Sequence, residues 1–187
     1  MKYLRYIFLK VVLCSMVILS LFASLTAQTR ATAARQFDFW AGDWVITEHI
    51  LNSDGSWLEF PAHNSVRFAV DSLALIEHWE GDIQFFWQGM TSPQHIHGLS
   101  VRSYNPKSGH WEIHWMDSNN PFFGKGYAGN FSDSAGVFYF QAPKSPRKSK
   151  IVFSAITDTS VHWALSTLLP DSTRWITVWT MDMKRVK

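Results

Sequence analysis

Polar side chains that could hold a ligand or move a proton recur at every second position of aromatic-rich segments. Glu77 stands two residues from Trp79, and Ser100, Arg102 and Tyr104 follow one another at the same spacing. Side chains two residues apart share one face of a β-strand. If that face points inward, a carboxylate, a guanidinium and two hydroxyls would meet among large rings.

A later segment repeats this spacing with Trp111, Ile113, Trp115 and Asp117. Ligand pockets combine an apolar wall with a few convergent polar groups, and buried opposite charges must pair. Three uses remain open: contact with a ligand, acid–base catalysis, and a structural ion pair. The candidate ligand-binding residues are Glu77, Trp79, Ser100, Arg102, Tyr104, Trp115 and Asp117.

Histidines offer the other reactive groups. His95 and His97 share a strand face, as do His110 and His114, and such pairs can chelate a metal ion. Sequence spacing places no Asp or Glu as a convincing third ligand beside either pair. We therefore predict no metal site and no cofactor, and assign the histidines to the surface or to the pocket.

The elements that position these residues are predicted to be strands. About ten runs rich in Val, Ile, Phe and Trp are separated by clusters of Gly, Pro, Asn, Asp and Ser, a pattern typical of hairpin-linked strands. Such a meander predicts an all-β, antiparallel sheet that curls into a barrel or half-barrel, because closure removes exposed edges. Residues 35–40 would form a short helical turn at one end, and residues 81–94 a lid or another edge strand. The predicted strands are 44–51, 64–70, 73–80, 97–104, 110–116, 126–131, 137–141, 150–156, 161–167 and 174–182.

The N-terminal residues have the pattern of a secretory signal peptide. Lys2, Arg5 and Lys10 precede an uncharged, mostly apolar run of 15 residues, 11–25, and Ala27 is a small residue suited to cleavage. A membrane-spanning helix would need roughly 20 apolar residues. We predict a signal peptide over 1–27, a single domain over 28–187, and a secreted or periplasmic protein without a membrane anchor after cleavage.

Removing that leader changes both the charge and the thiol content. Three of the 17 Lys and Arg residues and none of the 15 Asp and Glu residues lie in it, so the mature chain is close to neutral. A neutral domain lacks the basic surface that nucleic acids require. The one cysteine, Cys14, also lies in the leader, so the mature domain has neither a disulfide nor a nucleophilic thiol.

Several motifs resemble a large family of uncharacterised bacterial proteins, domains of unknown function with calycin-like barrels. Residues 37–44 read F-D-F-W-A-G-D-W, similar to the family's F-D-F-W-x-G-x-W opening, and 75–79 are similar to its apolar-x-E-x-W strand. The segments 98–100, 104–106 and 111–117 resemble its G-x-S…Y-x-P…W…W-x-D hairpin. The likeness extends from residue 37 to about 131. It departs at Leu73-Ala74, where the family often has Gly-Cys, and in the enlarged 81–94 stretch.

The resemblance implies a calycin- or lipocalin-like barrel and no established reaction. In such barrels the G-x-W element begins the first strand, where the Trp ring seals one end and an Arg of the last strand stacks on it. It assigns structural roles to Phe39, Trp40, Gly42 and Trp44, with Arg185 or Arg174 as the stacking partner. By analogy with nitrobindin-type barrels, His162 is a candidate axial haem ligand.

The first functional hypothesis is a binding module that holds a small apolar or amphipathic molecule in an aromatic lumen. The second is an enzyme that uses Glu77 or a histidine in the same cavity as acid or base. The third is a structural or interaction protein whose lumen is filled by its own side chains. The sequence specifies neither the ligand nor the oligomeric state.

Overall fold

The computed structural model describes residues 32–141, 148–169 and 173–187. The chain divides into two units, residues 1–36 and 37–187. The predicted signal peptide lies outside the described residues, and the domain boundary at residue 28 stays a prediction. No helix in the described part of the chain is long and apolar enough to span a membrane.

Ten antiparallel strands form one closed barrel in unit 37–187, which confirms the predicted all-β fold. Each strand pairs with its neighbour in sequence, and β1 pairs with β10 to close the sheet, so the half-barrel alternative is wrong. The strands are β1 (Gly42–Leu51), β2 (Trp57–Ala69), β3 (Ala74–Ile83), β4 (Gln94–Asn105), β5 (His110–Asp117), β6 (Tyr127–Ser132), β7 (Ala135–Gln141), β8 (Lys148–Ser154), β9 (Ser160–Leu168) and β10 (Trp175–Arg185).

Strand boundaries differ most from the prediction in β2. This strand begins at Trp57, seven residues before the predicted start at Asn64. Its first half contains Pro61, which reads locally as a turn residue but lies here opposite Thr47 of β1. Ladder pairing with a neighbouring strand is a tertiary contact, and it extends β2 through a residue that local propensity disfavours.

Side chains alternate between the lumen and the outer surface along the strands. In β1, Trp44, Ile46, Glu48 and Ile50 are buried, while Val45 is exposed. The same alternation buries one side of β3 and β4. This period of two means that the register of each strand decides which polar groups enter the barrel.

One end of the barrel is closed by the segment that precedes β1. A 3-10 helix, Asp38–Trp40, lies within the predicted 35–40 turn. Phe37 and Trp40 are almost fully buried, and the Phe37 ring makes edge contacts with Trp111 and Phe153 at centroid distances of 4.9 and 5.2 Å. The other barrel end carries the segment 84–93 and the loop after β5.

Arg185 holds the segment before β1 in place at this closed end. Its guanidinium lies 4.2 Å from the Trp44 ring centroid, and its Nη2 donates a 2.6 Å hydrogen bond to the carbonyl of Phe39. The Trp44 indole in turn donates to the carbonyl of Trp40 at 2.9 Å. Gly42 has a φ of +139°, and a Cβ there would collide with the Arg185 guanidinium. The G-x-W element, the plug and the last strand are therefore tied together by one cation–π contact and directed hydrogen bonds.

Candidate ligand-binding site in the barrel lumen

A buried carboxylate lies in the lumen toward the closed end. Glu77 of β3 points inward and is 4% exposed. Its Oε1 accepts a hydrogen bond from Asn64 Nδ2 at 2.5 Å, and its Oε2 accepts one from Ser100 Oγ at 2.5 Å. Arg102 Nη2 lies 2.6 Å from the same Oε2. Three donors thus satisfy this carboxylate, as a buried charge requires.

Arg102 pairs with Glu77 and lies among aromatic rings. Its guanidinium carbon is 4.8 Å from the Trp40 ring centroid and 5.5 Å from that of Phe37. Burial lowers the pKa of the Arg102 guanidinium, and the charge and hydrogen bond of Glu77 act in the opposite direction. The Nε and Nη1 atoms have no hydrogen-bond partner among the described residues. Both nitrogens are buried, and the Phe153 ring centroid also lies 5.7 Å from the guanidinium carbon. A buried donor without an acceptor is energetically costly.

A second carboxyl, Glu48 of β1, is fully buried beside two tryptophans. Its Oε1 accepts a 3.1 Å hydrogen bond from Trp79 Nε1, whereas its Oε2 has no partner among the described atoms. Burial raises the pKa of Glu48 to about 8, although the indole N–H groups of Trp79 and Trp179 favour the ionised form. Glu48 is therefore mostly protonated at neutral pH and adds little negative charge to the lumen.

An open cavity of about 330 Å³ lies in the lumen, and the Glu77–Arg102 pair forms part of its lining. A second cavity of about 560 Å³ lies toward the open end. The two share six lining residues, so they are adjacent compartments. The inner wall includes Trp79, Ile151, Trp163, Trp179 and Met181, and the shared residues are Trp87, Ile113, Trp115, Asn120, Tyr127 and Leu165.

The stretch 81–94 was predicted as a lid or an edge strand, but residues 81–83 belong to β3 and Gln94 begins β4, which leaves the linking segment 84–93. It is not a strand, because it contains the short 3-10 helix Phe86–Gln88 and the barrel pairs β3 directly with β4. Phe85 stacks on Trp87 at 4.7 Å and packs against Trp179 at 5.0 Å. Phe85 and Trp87 both line the inner cavity, so this segment covers part of its entrance.

The structure brings most of the predicted site residues to one cavity. Glu77, Ser100 and Arg102 are in direct contact, and Trp79, Trp115 and Asp117 line the same space. Tyr104 lies apart from the cavity lining and packs against Trp111 at 5.9 Å. Its place on β4 is beyond Arg102 toward the closed end, and its role as a ligand contact stays a prediction.

Asp117 lines the cavity while holding a turn together. Its Oδ2 accepts from Trp115 Nε1 at 2.8 Å, and its Oδ1 accepts from the backbone N–H groups of Asn119 and Asn120 at 2.9 and 2.8 Å. Gly98 faces the Trp115 ring, where a Cβ would collide with it. Asp117 and Gly98 therefore fix the position of the Trp115 ring in the cavity wall.

Sequence reasoning missed Glu48 and Asn64. Both occupy inward positions of strands whose other inward residues are apolar, such as Ile46, Ile50 and Val66. A polar residue at an inward position of an alternating strand was the available signal.

The histidines lie outside the lumen, and none lines either of its cavities. His162 Nδ1 lies 2.7 Å from Asp182 Oδ1 on the outer surface, so the haem-ligand analogy for His162 is wrong. His95 is exposed between Asp82 and Glu80 at 2.8 and 3.1 Å. Hydrogen bonds from Asp82 and then Glu80 raise the pKa of His95.

Two solved structures share the fold at low sequence identity. The S-type phycobiliprotein lyase CPES from Guillardia theta is 12% identical with a TM-score of 0.53, covering 84% of this chain and 97% of that one. Rv2717c from M. tuberculosis is 10% identical with a TM-score of 0.55, covering 82% of this chain and 98% of that one. These likenesses show the barrel fold alone.

The comparisons do not show that the chain belongs to the family of uncharacterised bacterial proteins that its motifs resemble. A protein of unknown function from the DUF3598 family of Nostoc punctiforme PCC 73102 is 6% identical, with a TM-score of 0.26 that supports no structural argument. The match covers 82% of this chain and 99% of that one. No family model matches the chain, and no curated protein matches it.

Proposed function

We propose that this protein binds a small amphipathic molecule, with the apolar body in the aromatic lumen and a hydrogen-bond-accepting group at Arg102. The observation that carries the proposal is the cavity of about 330 Å³ with Arg102 in its lining, two of whose nitrogens have no partner among the described residues. Small-molecule sites commonly occupy about 300–1,000 Å³ and use few polar groups to orient the ligand. Barrels of this size can enclose one small ligand.

Charge determines which polar end the site would accept. Glu77 and Arg102 form a buried ion pair at 2.6 Å, so the two formal charges cancel. The carboxylate oxygens of Glu77 already accept from three side chains, so the buried groups without a partner in this lining include N–H donors of Arg102, Trp40 and Trp179. A carbonyl or carboxylate therefore suits this end of the cavity better than an ammonium group.

The two alternatives are less well supported. The cavity argues against a lumen filled by the protein's own side chains. Acid–base catalysis by Glu77 would require it to give up its hydrogen bonds from Asn64 and Ser100 and its ion pair with Arg102, and no histidine lines the cavity. Binding is the use that requires no rearrangement of these groups.

Two dyes with a common skeleton test the lumen. 1-Anilinonaphthalene-8-sulfonate carries an acceptor anion, and N-phenyl-1-naphthylamine lacks it. We expect both to fluoresce on binding, and the sulfonate to bind more tightly because Arg102 can donate to it. Leu165→Trp narrows the shared part of the two cavities and is expected to weaken both dyes at least tenfold.

The matched control is Leu73→Trp, which adds the same ring at an exposed turn between β2 and β3. It should leave both titrations unchanged. Equal affinities of wild type and Leu165→Trp for both dyes would place the dyes on the outer surface and contradict the lumen site. A neutral dye that binds more tightly than the sulfonate would contradict the role of Arg102 alone.

Secretion is the second part of the proposal, and it is supported by the basic start and apolar run of residues 1–27. A native mass spectrum of the protein purified gently from its own host tests it together with ligand binding. We expect a polypeptide that lacks the leader and carries a reproducible added mass lost on denaturation. A full-length chain would contradict secretion by cleavage, and a bare mature chain would contradict a tightly bound resident ligand.

A further inference from the structure

Three potential metal ligands converge on the outer surface of β3 and β4, away from the lumen. The antiparallel register places Glu80 opposite His97 and Asp82 opposite His95. One ligand atom from each of Glu80, His95 and His97 lies within 4.8 Å of the others. The spacing of these residues along the sequence does not reveal the cluster. Glu80 precedes His95 by 15 residues and becomes its neighbour only through strand pairing.

The two ring nitrogens of His95 have different partners. Its Nδ1 lies 2.8 Å from Asp82 Oδ1, and its Nε2 faces Glu80 Oε1 at 3.1 Å. A carboxylate that accepts the Nδ1 proton holds an imidazole in the tautomer whose Nε2 lone pair is free for a metal. Asp82 therefore orients His95 so that its metal-binding nitrogen points at the Glu80 carboxylate.

His97 completes the set from the same strand face. Its ring centroid is 5.2 Å from that of His95, and its Nδ1 is 3.9 Å from Glu80 Oε2. Ligand atoms about 2.0–2.1 Å from a tetrahedral zinc ion lie about 3.3 Å apart. All three side chains are exposed, so small rotations can close the remaining separation without disturbing the core.

We propose that Glu80, His95 and His97 bind one divalent transition-metal ion of the Zn²⁺ class, with Asp82 orienting His95. Two imidazoles and a carboxylate suit Zn²⁺ and Ni²⁺ better than Mg²⁺ or Ca²⁺, which prefer oxygen ligands. Three protein ligands leave a coordination position for water or for a group from a partner. This site is independent of the lumen and of the function proposed for it.

Calorimetric titration of the tag-free chain with ZnCl₂ tests the site. We expect one ion per chain, and an affinity at least tenfold lower in His97→Gln and in Glu80→Gln. Asp82→Asn removes the orienting acceptor while keeping every ligand, so it is expected to weaken Zn²⁺ about 10–100-fold. Histidine ring spectra should show Zn²⁺ shifting His95 and His97.

The matched control is His110→Gln, an exposed strand histidine whose Nδ1 contacts Asn130 at 2.8 Å. It should bind Zn²⁺ like the wild type. The proposal is overturned if wild type takes up no Zn²⁺, or if His97→Gln and Glu80→Gln bind it unchanged. Ring signals that shift only for histidines outside this cluster would also overturn it.

Discussion

Replacing Arg102 with methionine is expected to lower the free energy of unfolding by about 3–5 kcal/mol, because it leaves the buried Glu77 carboxylate without a positively charged partner. Methionine keeps much of the volume between Phe37 and Trp40, so the loss reports the missing charge rather than a large cavity. Asn64 and Ser100 would still donate to Glu77, but no positive charge would remain beside it. Urea unfolding followed by tryptophan fluorescence measures the change.

The control is Arg67→Met, which breaks an ion pair on the outer surface in which Arg67 Nη2 donates to the two carboxylate oxygens of Asp43 at 2.7 and 2.9 Å. Both partners are more than half exposed, so this variant should lose much less stability than Arg102→Met. Combining Arg102→Met with Glu77→Gln should recover part of the loss, because the orphaned charge is then absent. Equal losses for the two arginine variants would contradict the buried-pair account.

Glu48→Gln is expected to abolish a fall in stability of about 2–3 kcal/mol between pH 6 and pH 9. Burial raises the pKa of Glu48 to about 8, against 4.5 as its ordinary value. From pH 6 to about pH 8 the folded state keeps a proton that the unfolded chain has released, so stability decreases as pH rises and levels off once Glu48 ionises in the folded state. Glutamine is uncharged at every pH and can still accept from Trp79, so its variant lacks this contribution.

Urea midpoints and slopes at pH 6, 7, 8 and 9 measure the difference between wild type and Glu48→Gln. Other titrating groups are common to both proteins and cancel in the comparison. Glu59→Gln changes a highly exposed carboxylate on the neighbouring strand and should follow the wild-type pH profile. A wild-type profile parallel to that of Glu48→Gln would show that Glu48 is ionised in the folded protein.

The two predictions concern two different ionisable groups in the lumen, Arg102 and Glu48. Arg102 stabilises a carboxylate that is already paired, whereas Glu48 has no cation beside it among the described residues. A ligand with an acceptor group would meet Arg102, and ionisation of Glu48 above about pH 8 would place an extra negative charge near Trp79 and Trp179. The lumen therefore contains one ion pair, Glu77–Arg102, and one carboxyl, Glu48, whose charge depends on pH.

The sequence by itself determined the strand content and much of the inward face. The spacing of two residues in β3 and β4 identified Glu77, Trp79, Ser100 and Arg102 as neighbours on one side of the sheet. This succeeded because side-chain alternation is a local property of an extended backbone. The ten strands followed from hydrophobic runs and turn residues, which are also local signals.

Only the tertiary structure decided which residues meet across strands. Closure of β1 on β10 is a long-range pairing, and it brings Arg185 over Trp44 across most of the chain. Glu48 of β1 meets Trp79 of β3, 31 residues away, although β2 lies between their strands, and Glu80 meets His95, 15 residues away, through the register of β3 and β4. Register depends on the burial of whole strand faces and on turn geometry. Residue types and spacing within one strand therefore could not reveal the neutral carboxyl in the lumen or the third ligand on the surface.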